Sequence, residues 1–138
     1  MQETIDTLTH YENSFIRIKF FPDKNFIEEV WKDFGEDDQI KIAKSKLTEM
    51  LRNTGSKAYL SDLTEFKGAS PEIQVWVRDI WFSEAYEVGL RTIAFLVMED
   101  AFANFSVETA LSGDYAKKMT LHKFKTYEEA EKWLKEVI

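Results

Sequence analysis

Residues 93–98, IAFLVM, set six apolar side chains in a row with no polar alternation. The run is far shorter than the ~20 residues of a bilayer-spanning helix. It suits a strand covered on both faces, as at the centre of a parallel sheet. Parallel neighbours need crossover segments between them, usually helices. The chain around this run supplies them.

Before it, residues 71–88 place Ile73, Trp76, Val77, Ile80, Trp81, Ala85 and Val88 on one helical face, and Gly89 stops the pattern. Residues 57–63, KAYLSDL, read as a short buried strand. In 37–55, Ile40, Ala43, Leu47, Met50 and Leu51 recur at helical spacing, and Gly55 stands where a left-handed cap is wanted. After the apolar run, a helix is expected over about 101–112, ending near Gly113, and a strand over 118–124. A last helix over 126–138 opens with Thr126 and Glu129 at capping-box spacing. At the front, residues 14–21, SFIRIKFF, alternate as a half-buried strand, and 22–25, PDKN, supply a turn. Residues 26–34, FIEEVWKDF, fit a helical stripe as well as a strand. The turn before them favours a hairpin, so they are read as a strand. Residues 1–11 could form a loose N-terminal segment.

The order ββαβαβαβα implies a single layered α/β domain spanning 1–138, with a mixed, mostly parallel sheet of four to five strands. At 138 residues the chain can bury a sizeable core. It has no cysteine, which excludes disulfides, thiol nucleophiles and thiolate metal sites and fits a cytoplasmic setting. The first ten residues lack the pattern of a signal peptide. A net charge of −7 with scattered Lys and Arg argues against nucleic acid as a partner.

Chemistry is sparse. None of the five glycines belongs to a phosphate-cradling motif, and no nucleotide or other cofactor is expected. His10 and His122 lack ligand spacing, so no metal is expected. No GxSxG elbow is present. Ligands of open parallel sheets bind beyond the carboxyl ends of the strands. If strands 57–63 and 91–98 are neighbours, that edge would gather Asp62, Thr64, Ser70, Glu99 and Asp100. The set forms a candidate ligand or partner edge, and Asp62, Ser70 and Asp100 a candidate catalytic group. Ser70 before Pro71 also has the backbone and side chain of a plain helix cap. On helix 71–88, Val75, Phe82 and Tyr86 fall opposite the main apolar face. They form a candidate interface for a protein partner or a second copy, unless another part of the chain covers them.

The hairpin leading to 30–34, VWKDF, together with 59–66, YLSDLTEF, 70–97 and 124–134, resembles the SpoIIAA-like branch of the STAS family. The resemblance spans roughly residues 12–138 and supports the strand reading of 26–34. It implies a small sheet with helices packed on it, working without catalysis through protein partners or ligand sensing. That branch is also similar to lipid-binding CRAL-TRIO domains, which implies a carrier of an apolar ligand as the alternative; an enzyme is the third reading. Classical members carry an Asp-Ser-Ser-Gly motif with a phosphorylatable serine. Here the corresponding stretch is 67–72, KGASPE, where Ser70 alone corresponds.

Overall fold

The computed structural model describes residues 4–98, 108–109 and 111–138. Among these residues, seven strands make one sheet in the order β1 to β7: Ile5–Asp6, His10–Glu12, Ile16–Phe21, Phe26–Gly35, Ala58–Ala69, Thr92–Leu96 and Thr120–Phe124. The first four run antiparallel, and β4 to β7 are parallel. The sheet is therefore mixed and α/β as expected, with more strands than four or five. The surplus lies in the N-terminal segment, where Tyr11 pairs with Ile18 and is buried beneath α1 residues of the same core.

Helix α1 (Asp37–Thr54) joins β4 to β5 and ends at Gly55, whose φ of +71° is open to glycine at little cost. Between β5 and β6 run α2 (Pro71–Trp76), a π turn (Val77–Trp81) and α3 (Phe82–Glu87) as one rod. Helix α4 (Tyr127–Val137) follows β7. The helix expected over 101–112 lies mainly outside the described residues. Because the parallel strands advance steadily one way, crossovers of one hand put their helices on the same face. One face of the sheet thus packs Ile18, Ile27, Trp31, Tyr59 and Ile93 against α1 and the rod. The other packs Phe26, Leu60, Ala94 and Leu96 against Ala130 and Leu134 of α4. At the edge of that layer, Lys24 meets Glu131 at 2.7 Å and donates to the Tyr127 hydroxyl at 2.9 Å. This contact raises the Lys24 pKa and lowers that of Glu131. The strand β6 is buried throughout, as its apolar run requires.

Two expectations change. The strand read at 57–63 continues to Ala69, so the polar residues Thr64 and Glu65 lie in an extension of β5 that runs beside β4 past register shifts at Val30/Lys32 and Asp33/Phe34. The helical face of 71–88 also shifts midway. The π turn, in which Phe82 N–H donates to the Val77 carbonyl, absorbs one extra residue. From its last residue onward Trp81, Phe82 and Ala85 face the core, and Ile80, expected inside, is 47 % exposed. Phe82, expected outside, is 2 % exposed.

This phase shift makes a prediction about stability in urea. Phe82→Ala is expected to cost about 3–5 kcal/mol, and Ile80→Ala about 0.5 kcal/mol or less. The reverse order would mean that the helix keeps a 3.6-residue period through 77–81.

Candidate functional site

Two charged side chains occupy inward positions on the face that carries α1 and the rod. Strand β4 alternates Ile27, Glu29 and Trp31 toward the helices. Glu29, 0 % exposed, therefore sits in an apolar row. On α1, Lys44 falls on the buried stripe one turn beyond Ile40 and is 8 % exposed. Its ammonium donates to both Glu29 oxygens, at 3.0 and 3.3 Å. Ser61, the register partner of Glu29 on β5, donates its hydroxyl proton to Glu29 at 2.9 Å.

Aromatic rings enclose the pair. The Lys44 ammonium lies 4.3 Å from the centre of the Trp81 ring and 5.3 Å from that of Tyr59, within cation–π reach. Trp81 Nε1 donates to the Lys44 carbonyl at 2.9 Å and to Thr48 at 3.0 Å, which locks the indole onto α1. Among the described residues, the Tyr59 hydroxyl receives only a long 3.5 Å contact from Lys44. Burial and, secondarily, the Glu29 charge push its pKa well above the ordinary tyrosine value, so it keeps its proton.

This cluster and Gln74 form the polar part of the wall of a cavity of about 90 Å³ between sheet and helices. The rest of the wall is mostly apolar, with Leu63, Phe66 and Phe95 from the sheet and Ile73, Val77 and Phe82 from the rod. It lies under α1 and α2 toward the carboxyl ends of β4 and β5. The extension of β5 brings Phe66 there, against Trp31 with ring centres 6.2 Å apart. The cavity can hold a few heavy atoms of apolar body beside one polar group. Among the described residues, no three His, Asp or Glu side chains stand where they could hold a metal ion.

Of the edge expected from the sequence, Asp62, Thr64 and Ser70 are among the described residues. Among the described residues the strand order has no reversal, and so no switch-point crevice opens between their strand ends. Asp62 accepts from the Thr64 amide at 3.0 Å and hydroxyl at 2.7 Å. Ser70 follows the end of β5, roughly 25 Å along the strand from Asp62 at about 3.3 Å per residue. Glu99 and Asp100 lie outside the described residues. The candidate interface is also divided. Val75 is 42 % exposed, but Phe82 belongs to the core. Tyr86 is half-buried, with the Arg91 guanidinium 3.7 Å above its ring and Tyr115 beside it. The π turn is the reason, since it carries Phe82 off the stripe that an unbroken helix would present.

Sequence reading missed Glu29, Lys44 and Ser61. The available signal was positional: each polar residue sits in a pattern whose other members point inward.

Ser70 is a helix cap: its Oγ accepts from the Ile73 amide at 3.2 Å. It also donates to Asp37 Oδ1 at 2.6 Å, which ties the start of α2 to the start of α1. Ser70→Ala is expected to cost about 1–2 kcal/mol. Ser70→Asn can cap and donate to Asp37, and should stay close to wild type. Ser70→Asp caps but sets two carboxylates face to face, so urea unfolding at pH 7 should find it less stable than the Asn variant. An Asp variant as stable as the Asn variant would mean that the Asp37 contact contributes nothing.

No family model matches the chain, and no curated protein does. It is similar in structure to an uncharacterised protein of the DUF3478 family with a SpoIIAA-like fold from Shewanella loihica PV-4. The two share 16 % sequence identity, the match covers 94 % of this chain and 98 % of that one, and the TM-score is 0.57. With a mixed sheet, mostly parallel at its centre, and helices over both faces, the chain has a SpoIIAA-like fold.

Proposed function

We propose that the chain is a non-enzymatic, STAS-like regulatory module that answers to a small molecule held in the Glu29–Lys44 cavity and acts through a protein partner. The observation that carries this reading is a buried ion pair built into the wall of an otherwise apolar cavity. A buried pair is weak support for stability, because apolar residues of equal volume do as well or better. Binding gives it a use. The hydroxyl of Ser61 is spent on Glu29, so the cluster has the character of a receptor more than of a nucleophile with its base.

The size of the cavity limits the occupant. About 90 Å³ is well below the roughly 300–1,000 Å³ of sites for drug-sized ligands, and a cavity of ~150 Å³ takes benzene. The part of an occupant that the cavity encloses therefore has about six heavy atoms or fewer, too few for a lipid chain. Val77 and Phe82, at the two ends of the π turn, both line the cavity. Such turns are rare and cluster at functional sites. A ligand touching both ends can favour one winding of this segment over another, to the extent that it binds the two unequally. Exposed Ile80 on the same turn, and Val75 just before it, offer a partner or second copy the surface on which that change is read.

Xenon is a suitable apolar probe. Under xenon pressure, the amide signals of Val77, Phe82 and Phe95 should shift in ¹H–¹⁵N spectra, and hydrogen exchange across 77–81 should slow. A spectrum and exchange pattern untouched by xenon would overturn the reading.

A further inference from the structure

The chemistry of the occupant follows from which hydrogen-bonding groups of the cavity wall are already spent. Glu29 receives Lys44 on both oxygens and Ser61 on one. Ser61 has given its proton, and Gln74 donates to the Ala69 carbonyl at 2.8 Å. Lys44 is directed at Glu29 and lies 3.5 Å from the Tyr59 hydroxyl, toward which it can only donate. Among the described residues, nothing accepts the Tyr59 proton. Yet Tyr59 is 1 % exposed and lines the cavity. Buried donors of this kind are nearly always paired. The missing partner is an acceptor, and the cavity is where it fits.

Charge narrows the choice further. Glu29 and Lys44 cancel, so the wall is neutral overall. An anionic or cationic head group would enter as a third, uncompensated charge among apolar side chains, and such burial is strongly unfavourable. An apolar body suits the remainder of the wall, where Leu63, Ile73, Val77 and Phe95 stand.

We propose that the cavity binds a small neutral oxygenated organic molecule, an alcohol or ketone of about six heavy atoms or fewer, whose oxygen accepts the Tyr59 hydroxyl proton while its carbon chain lies against Ile73, Val77 and Phe95. This rests on the reading of the cavity as a ligand site and adds the class of ligand.

The test compares four-carbon probes by ¹H–¹⁵N titration at pH 7: butanone and butan-1-ol against butyrate and butylammonium, on the wild type and on Tyr59→Phe. Xenon uptake is measured on both proteins. The neutral pair should bind about tenfold or more tightly than either charged probe, and Tyr59→Phe should weaken butanone binding about tenfold while xenon still enters. Equal or tighter binding of butyrate or butylammonium would overturn the assignment. So would undiminished butanone binding by Tyr59→Phe, or xenon uptake by a wild type that ignores butanone, the result expected of a plain apolar void. Should Tyr59→Phe fail to fold, the order of the probes on the wild type decides. If neither xenon nor any probe enters, the ligand-site reading falls together with the ligand class.

Discussion

A carboxylate and an ammonium removed from water must find each other, and that requirement arranges the helical face of this sheet. Glu29 is fixed by the alternation of β4, and Lys44 reaches it only if α1 crosses the sheet with its Ile40–Lys44–Leu47 stripe turned inward. Trp81 then seals the pair from the other side and bonds to the α1 backbone at Lys44, so the rod is positioned by the same contact. Breaking such a pair from one side costs about 3–5 kcal/mol, although the intact pair need contribute little net stability. The arrangement is thus specified by the penalty for getting it wrong.

The π turn belongs to the same construction. An unbroken helix from Pro71 could not seat both Ile73 and Phe82 on the sheet, because nine residues at 100° each leave them opposite. One extra residue in the turn brings Trp81 onto Lys44 and Phe82 into the core. It also leaves Ile80 outside. The cavity lies where this winding and the extended β5 meet, and its wall includes residues from both.

Much of this was legible in the sequence. The apolar run at 93–98 marked β6, a buried strand with parallel neighbours on both sides, and the glycine after α1 and the Thr126–Glu129 box marked helix limits through local backbone chemistry. Ser70 was readable as a cap, because proline and an N-cap ask for the same backbone. The phase of 71–88 was not readable, since period analysis assumes one winding throughout and the extra residue is chosen by tertiary packing. The extension of β5 through Thr64 and Glu65 was hidden because their side chains are exposed while only the backbone pairs with β4. The binding cluster was hidden for a related reason. Glu29 reads as half of an ordinary acidic pair, Lys44 as one of many helix lysines, and Ser61 as a strand serine. Their significance comes from convergence across β4, α1 and β5, which no local window contains.

The central claim is that the Glu29–Lys44–Ser61 cluster is kept for what it binds, not for what it holds together. The most direct measurement is the unfolding free energy of the triple variant Glu29→Leu, Lys44→Met, Ser61→Ala beside that of Lys44→Met alone. The single change strands a buried carboxylate and should lose about 3–5 kcal/mol, whereas the triple change removes both charges and the hydroxyl bonded to them and should match or exceed the wild type. A triple variant as unstable as the single one would contradict the claim and make the cluster a structural necessity of the fold.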